Sequence, residues 1–336
     1  MKKQILILAL LLPLLAGCTA KQPEPLPCTP GEAQRLVVYT SHKEEVYTPI
    51  IREFEERTGI WVDVVSGGTN ELLQRIQQEA DAPKADVMFG GGVESLESYQ
   101  DCFSPYICRE AAGISEQFQA ESGYWTPFSA LPVVLVYNTK LVAPESLTSW
   151  KDLESPAFRG KIAFADPQIS GSSYTALVTW LQTGGGMEDS LTRLCTALDG
   201  KQLDSSGAVL TAVADGSALV GITLEETALQ HIAAGEDIAL VYPSDGTSCV
   251  PDGSALVKGA PHGDNARLFL DFTVSTDVQS MVGQRFCRRT VRADIPADPS
   301  LPPLSTLNVS YDVEWASQNR DRLLSEWSFL LGEVPS

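Results

Sequence analysis

The first hydrophobic pattern in the body of the chain predicts a strand followed by an amphipathic helix. Residues Arg35 to Thr40 read RLVVYT, an apolar run typical of a buried strand. From Glu44 to Arg57 the period lengthens to three or four residues, which predicts a helix with one buried face. The apolar positions of that face are Tyr47, Ile50, Ile51 and Phe54. Gly59 then predicts the helix end, because glycine accepts the left-handed backbone found there.

The alternation of strand and helix continues. Ile60 to Val65 (IWVDVV) predicts a second strand, a helix capped by Thr69 or Asn70 runs through Glu79, and Ala85 to Phe89 predicts a third strand. A β-α-β-α-β order is typical of a parallel sheet with right-handed crossovers. The fold class predicted for this part is therefore α/β.

A second alternating run follows after a gap, and the chain ends in a mainly helical segment that begins near Asp264. The predicted elements of the second run are strands at Leu131 to Tyr137, Lys161 to Ala165, Ala218 to Thr223 and Ile238 to Tyr242, with a helix after Ser173. Two α/β units in about 300 residues suit two lobes better than one core. We expect lobe 1 to comprise residues 35–128 plus 255–336 and lobe 2 residues 129–254, with chain crossovers near 128–134 and 241–254 and a cleft between the lobes.

The N-terminus has the layout of a secretory signal. Lys2 and Lys3 precede an apolar stretch from Ile5 to Leu15, which is too short to span a bilayer. The sequence Leu-Ala-Gly-Cys that ends at Cys18 resembles the bacterial lipobox, in which the cysteine is acylated. We expect a signal peptide at 1–17, a lipid on Cys18, a Pro-rich tether at 18–34 and an exported body at the outer face of the cell membrane, facing the periplasm if two membranes are present; an ordinary signal peptide is the alternative.

Net charge limits the classes of partner, and cysteine content limits the disulfides and metal sites that can be expected. The formal net charge is −19, which repels nucleic acid and anionic lipid, so neither is expected as a partner of the body, and we expect a monomer. Apart from Cys18, six cysteines remain, which permits disulfides in an exported protein. Cys102 with Cys108 is the pair we expect first. No C-x-x-C spacing indicates a metal site, and we expect no cofactor.

The sequence lacks the motifs of the common enzyme classes. Its three histidines do not accompany a G-x-S-x-G turn, and it has no phosphate-binding G-x-x-x-x-G-K-[ST] loop and no H-E-x-x-H pair. Adjacent acids such as Glu225 and Glu226 are a weak signal by themselves. We therefore expect a protein that is not an enzyme.

Small polar turns stand at several predicted strand-to-helix junctions. In open α/β sheets these junctions lie at the carboxyl ends of strands, where ligands bind, and helix N-termini favour anions. The candidate ligand-binding residues are Ser41, His42, Gly68, Thr69, Gly91, Gly92, Ser129, Ser170, Ser172, Ser173, Thr223 and Glu225. Any one such turn is also explained by ordinary helix capping. Arg288, Arg289 and Arg292 could form a cationic clamp, although a solvated helix end is the first interpretation.

Several segments together resemble the extracellular solute-binding proteins of ABC importers, in the cluster that binds ferric iron, thiamine, phosphonates and sugar phosphates. The segments that carry the resemblance are Val37–Glu44, Phe54–Ile60, Ala85–Gly92, Pro127–Ser129, Tyr137–Thr139, Gly160–Pro167, Ser170–Ser173 and Arg288–Arg292. The resemblance implies a two-lobed type II periplasmic-binding fold with a hinged cleft. It also implies a small-molecule ligand, a membrane permease and an ATPase as partners.

The same resemblance offers alternative ligands. Ferric-binding members use a histidine in the first turn, which His42 matches, together with a glutamate at the third-strand turn and a tyrosine pair. Here that turn is glycine, Glu94 is displaced along the helix, and the segment expected to hold the tyrosines reads GITLEE. An organic phosphate or phosphonate is therefore the leading ligand, iron (with His42 as a ligand) is second, and thiamine would use Glu225 with Tyr174 or Trp180. A surface sensor or enzyme on the same fold is the alternative from another class.

Overall fold

The structure is a computed structural model, and it describes residues 30–120, 122–183, 187–307 and 311–333. The expected signal peptide, Cys18, Cys28 and most of the tether lie outside the described residues. The described strands are β1 (Arg35–Thr40), β2 (Trp61–Ser66), β3 (Val87–Gly92), β4 (Phe103–Ser104), β5 (Thr126–Asn138), β6 (Ile162–Ala163), β7 (Val220–Leu224), β8 (Ile238–Val241), β9 (Cys249–Val257) and β10 (Arg289–Thr290). The described helices are α1 (Glu44–Thr58), α2 (Thr69–Gln78), α3 (Val93–Ser98), α4 (Gly171–Thr183), α5 (Met187–Leu198), α6 (Ser206–Ala214), α7 (Glu225–Ala233), α8 (Gly263–Thr273), α9 (Thr276–Phe286), α10 (Val313–Gln318) and α11 (Arg320–Glu333).

The N-terminal β-α-β-α-β unit forms as the hydrophobic pattern predicts. Strand β1 pairs in parallel with both β2 and β3. Helix α1 buries Val46, Ile50, Ile51 and Phe54, and Gly59 ends it with a φ of 70°. That backbone conformation is costly for residues with a Cβ, which explains why glycine marks this helix end.

Two long strands join the two halves of the molecule. The first residues of β5, Thr126 to Pro132, pair with β9, whereas Val133 to Asn138 pair with β7 and β8. The predicted strand at 131–137 is thus the second part of a 13-residue strand that is buried along its whole length. The sheet order is β2-β1-β3-β9-β5-β7-β6, so one continuous backbone ladder runs through both lobes.

The C-terminal helix packs on lobe 2, so the expected assignment of all of 255–336 to lobe 1 is wrong for α11. Leu323 and Trp327 of α11 belong to the apolar core that β5, α4 and α5 build. The Trp327 ring lies 5.5 Å from the Phe164 ring. Helix α10 packs on α3 of lobe 1, and Ser98 donates a hydrogen bond to the Ser317 carbonyl at 3.3 Å. The C-terminal helices therefore contact both lobes.

The described cysteines are free thiols, and the expected bond between Cys102 and Cys108 does not form. The reason is packing: Cys102 lies against the core beneath α2 and α3, whereas Cys108 is buried in a separate cluster with Ile114 and Phe118. Short sequence spacing does not bring two side chains to one cluster when the chain between them is extended. Within the described ranges, no helix combines the length and apolarity that crossing a membrane requires.

Candidate functional site

A cavity of about 220 Å³ lies between the lobes, at the carboxyl ends of the parallel strands. Nine of the twelve candidate residues line it. They are Ser41, His42, Gly68, Thr69, Gly91, Gly92, Ser170, Ser172 and Thr223. Their turns come from both lobes, because β1, β2 and β3 end at the cavity from one side and the loop after β6 and the end of β7 from the other. A set of turns dispersed over 180 residues of sequence therefore meets at one place.

Three candidates lie elsewhere. Ser129 is fully buried under the cavity floor and donates a hydrogen bond to Asp252 at 2.7 Å. Ser173 lies one residue too far along α4, and its backbone N–H donates a hydrogen bond to the Ser170 hydroxyl oxygen at 3.3 Å. Glu225 is turned away, where it accepts hydrogen bonds from Arg289 and from the Tyr242 hydroxyl. Glu225 is therefore occupied, and its neighbour Glu226 lines the cavity instead.

Six helices begin at the cavity wall. The residues that start them or stand just before them are Lys43 (α1), Gly68 (α2), Gly92 (α3), Gly171 (α4), Ser205 (α6) and Leu224 (α7). At α1, α2 and α3 no side chain caps the first turn, whereas Ser205 accepts the Ala208 N–H at α6 and the Glu226 carboxylate accepts the Thr227 N–H at α7. The first N–H groups of a helix have no partner inside the helix, so uncapped ends require water or a ligand. The wall thus presents converging N–H donors and the positive ends of helix dipoles.

The glycines of the third-strand turn have a steric role. Gly91 adopts a φ of 99°, and a Cβ there would lie 2.7 Å from a methyl carbon of Thr69. A Cβ on Gly92 would lie 2.5 Å from an Oε of Glu94. Glu94 itself stands on α3, as expected, and is not among the residues that line the cavity, although its carboxyl group lies close to this turn. Glycine is favoured at Gly91 by its positive φ and by the Thr69 methyl group, whereas at Gly92 the flexible end of Glu94 could move aside.

Arg288 forms a buried ion cluster at the floor of the cavity, and its interpretation as a solvated helix end is wrong. Its side chain is 7% exposed; it donates to Asp252 at 2.6 Å, to Ser129 at 3.1 Å and to Glu226 at 3.2 Å. Burial raises the pKa of Asp252, and Arg288 and Ser129 act in the opposite direction. Arg289 and Arg292 are also buried and paired, Arg289 with Glu225 and Arg292 with Glu110 and Asp294.

His42 is buried between aromatic rings. Its ring centroid lies 4.4 Å from that of Phe89 and 5.1 Å from that of Phe128. Burial, with a smaller contribution from Arg288, holds the pKa of His42 well below its usual value, so the imidazole is neutral at physiological pH. Its Nδ1 lies 3.7 Å from Asp252, too far for a hydrogen bond.

Several residues of the cavity wall were not among the candidates predicted from the sequence. Lys43, Asp252 and the turn from Asp204 to Ser206 all line the cavity. The Ser205-Ser206-Gly207 start of α6 has the same small polar composition as the turns that hold Ser41, Gly68, Gly91 and Ser170, so composition also indicates this segment. Asp252 had no local signal, because it stands in the middle of β9 and reaches the site only through the strand crossover.

Polar atoms without partners point to a polar ligand. Within the described part of the chain, the Thr223 hydroxyl and the Arg288 Nε are buried and have no hydrogen-bond partner, and both residues belong to the cavity wall. Unpaired buried polar groups cost about 1–3 kcal/mol each, so they persist mainly where function requires them. No group of three or more His, Cys, Asp or Glu side chains suited to a metal occurs among the described residues.

Comparisons with known proteins agree with the architecture. The model of the bacterial extracellular solute-binding protein family matches residues 36–285. Iron uptake protein A1 of Synechocystis sp. is 26% identical over 306 residues, 86% of this chain and 84% of that protein. A Salmonella typhi protein, provisionally named as a 2-aminoethylphosphonate-binding periplasmic protein, is 22% identical over 262 residues, 73% of this chain and 74% of that protein.

Solved structures share the fold as well. The periplasmic binding protein AfuA of Actinobacillus pleuropneumoniae, with fructose-6-phosphate bound, superposes with a TM-score of 0.82 at 25% identity, over 89% of this chain and 99% of that one. The expected α/β fold of the two-lobed type II periplasmic-binding class is confirmed. Because the family model covers well over half of the sequence, the chain belongs to the bacterial extracellular solute-binding proteins, an exported family.

Proposed function

We propose that this protein is the solute-binding component of an ABC importer and that its ligand is a small organic phosphate or phosphonate. The observation that carries the proposal is the convergence of six helix starts on one cavity, three of them (α1, α2 and α3) without a side-chain cap. Phosphoryl oxygens are strong acceptors, and N–H groups at helix starts are suited to bind them. Hydroxyl groups of Ser41, Ser170 and Ser172 add donors without adding charge.

The charges of the wall favour a ligand with a second, hydrogen-bond-donating end. The cationic side chains there are Lys43 and Arg288, and the acidic ones are Asp204, Glu226 and Asp252. The wall therefore carries no net positive charge to attract a bare multivalent anion. Hydroxyl or amine groups on an organic phosphate would be recognised by carboxylate oxygens, and the ring or chain of such a ligand would contact Leu131, Ile169 and Val250.

Ferric iron is the second candidate, and the relative named as an iron uptake protein supports it. His42 would be its nitrogen ligand, but the imidazole is enclosed by Phe89 and Phe128, and no tyrosine stands among the described residues that line the cavity. A hard ferric ion prefers anionic oxygen ligands. Thiamine has less support, because Tyr174 and Trp180 are fully buried in the lobe 2 core and Glu225 is bound to Arg289.

The cellular arrangement is proposed on the same basis. A lipid on Cys18 and the Pro-rich segment at 18–34 would hold the monomeric body at the outer face of the cell membrane, facing the periplasm if two membranes are present. A permease and an ATPase subunit would receive the solute. A surface sensor or enzyme on the same fold is distinguished by its product: a transport component returns its ligand chemically unchanged.

The test is thermal unfolding of the chain from Pro30 onward, which contains every described element, against a panel of small ligands. The panel holds hexose phosphates, 2-aminoethylphosphonate, inorganic phosphate, thiamine phosphate and ferric citrate. A ligand at about 100 times its Kd stabilises the protein by about 2.7 kcal/mol, which raises the Tm by several degrees. We expect a shift with an organic phosphate or phosphonate.

Matched variants locate the site. Ser172→Asp and Ser206→Asp each place a carboxylate at a helix start in the wall, and both should abolish the shift by charge repulsion. Ser325→Asp, on the exposed face of α11, is the control and should bind as the wild type does. A shift with ferric citrate alone, retained in both wall variants, would contradict the proposal.

A further inference from the structure

A buried polar cluster lies behind Gly92, between the lobes and next to the cavity. Its side chains come from α2 and α3 of lobe 1, from α4 of lobe 2, and from the C-terminal helices and the residue before them. The members are Asn70, Glu94, Tyr174, Thr175, Tyr311 and Arg320. The cluster takes no part in the ligand contacts proposed above, although Thr175 also borders the cavity.

Hydrogen bonds in this cluster join one lobe to the other. The Thr175 hydroxyl of α4 donates to the Glu94 carboxyl of α3. The Asn70 amide of α2 donates to the Gln168 carbonyl in the loop before α4. Arg320 of α11 in turn donates to the Asn70 carbonyl oxygen. These bonds can exist only while the lobes are together.

The lobes approach closely at the same place. A Cβ on Gly171, the first residue of α4, would lie 3.0 Å from the Thr69 hydroxyl of α2. Gly68 faces the Ile169 carbonyl at a similar separation, 3.5 Å for the corresponding Cβ. The structure is therefore a closed form, and Glu94 is 0% exposed because lobe 2 covers it.

Glu94 is poorly compensated in this closed form. Its Oε2, the Tyr311 hydroxyl and the Arg320 Nε are buried, and none has a hydrogen-bond partner in the described ranges. An ionised carboxylate in such a place is strongly disfavoured unless it is paired. Burial raises the pKa of Glu94 to about 7, while the Thr175 hydrogen bond and the charge of Arg320 act in the opposite direction.

The other titratable groups near Glu94 are two buried phenols and one carboxylate that is paired with an arginine. Tyr174 faces it from α4 and Tyr311 from the residues before α10, and burial raises the pKa of both phenols above the usual value. Strand β9 contributes Asp252, which pairs with Gly92 in the ladder and is bound to Arg288. Helix α2 offers only the uncharged Asn70 to the cluster. A pH response that is absent in Glu94→Gln would therefore belong to Glu94 and not to these groups.

We propose that Glu94 is a proton-linked latch: the lobes close over its protonated form, and loss of that proton favours the open cleft. This regulation rests on the proposed function in one respect: closure of the lobes is the step that retains a bound solute. In the open form water reaches the carboxyl group, so its pKa returns towards 4.5. Because the closed form has the higher pKa, closure is favoured at low pH and is progressively lost as the pH rises from about 4.5 to about 7.

The size of the effect follows from the two pKa values. Between pH 5.5 and 7.5 the ratio of closed to open molecules should fall about 20-fold. Glu94→Gln keeps an oxygen that accepts from Thr175 but carries no charge, so it should stay closed at both pH values. Thr175→Val removes the donor to the carboxylate and so disfavours the ionised closed form further; the ratio should begin to fall at the same pH and continue to fall to a higher pH than in the wild type.

The experiment is small-angle X-ray scattering of the ligand-free protein from Pro30 onward between pH 5 and 8.5. We expect the radius of gyration to increase with pH in the wild type, and equally in Glu314→Gln, an exposed glutamate of α10. Glu94→Gln should show no increase. A radius that does not change in the wild type, or that changes equally in Glu94→Gln, would overturn the latch. If Glu94→Gln does not fold, Thr175→Val is the second test: its radius of gyration should keep increasing to a higher pH than that of the wild type, and a profile identical to the wild type would overturn the latch.

The two proposals fail separately. The scattering experiment contains no ligand, so a negative result leaves the organic-phosphate proposal as it was. A panel in which nothing binds leaves the pH dependence of the ligand-free form intact.

Discussion

Removal of the Arg288 guanidinium should destabilise the protein more than any exposed charge does. Arg288→Met retains an apolar side chain of similar length but leaves Asp252 and Glu226 without their counter-ion. Their side chains are 4% and 7% exposed, and the bond from Arg288 to Asp252 is 2.6 Å long. Loss of one partner from such a buried cluster costs about 3–5 kcal/mol, because the remaining charge cannot be solvated.

The assay is chemical denaturation at pH 7.5, with Arg322→Met as the matched control. Arg322 pairs with Glu326 at 3.4 Å on the surface of α11, with side chains 60% and 46% exposed, so its loss should change the free energy of unfolding by less than about 1 kcal/mol. Arg288→Met combined with Asp252→Asn removes one of the two stranded charges. It should recover at least about 1 kcal/mol of the loss.

Two results would refute this reasoning. A loss below about 1 kcal/mol in Arg288→Met would mean that water reaches the carboxylates once the arginine is gone. Additivity in the double variant would mean that Arg288 and Asp252 are not energetically coupled, whatever the distance between them.

Two further predictions concern the C-terminal helix and His42. Trp327→Ala should lower the free energy of unfolding by about 3–5 kcal/mol, because the ring is fully buried in the lobe 2 core. Phe329 is 63% exposed on the same helix, so Phe329→Ala should change that free energy by less than about 0.5 kcal/mol. Equal losses in chemical denaturation would contradict the packing of α11. The pKa of His42 is lowered in the folded protein, so its contribution to stability is present above the unfolded pKa of about 6.5 and is lost as the pH falls below that value. His42→Phe should therefore reduce the pH dependence of the Tm between pH 5 and 7. An unchanged profile of Tm against pH would show that another group is responsible.

The local elements of lobe 1 could be predicted from the sequence because neighbouring residues determine them. The β1 strand has the predicted bounds. Helix α1 ends at Thr58, one residue later than predicted, directly before Gly59, which stops it. The predicted junction turns depend only on strand ends and helix starts, and nine residues of that kind line one cavity. The family resemblance rests on those same contiguous segments.

The buried ion cluster of Arg288, Asp252 and Glu226 depends on the tertiary structure. Arg288 follows α9, Asp252 lies within β9 and Glu226 is the second residue of α7, and no sequence period relates three residues so far apart. Their partnership depends on how β5 and β9 cross between the lobes. The choice between Glu225 and Glu226 is of the same kind, because adjacent residues point apart: Glu226 pairs with Arg288 at the cavity, whereas Glu225 pairs with Arg289 away from it.

The sequence by itself thus determined the strands and helices of lobe 1, the α/β class and the chemical type of the turns, since hydrophobic period and glycine conformation act over a few residues. The tertiary structure alone decided which turns share the cavity, that Arg288 is buried and that α11 packs on lobe 2. It also decided that Glu94 lies in the interface between the lobes. These properties depend on contacts between residues distant in sequence, where burial and charge pairing set the free energy.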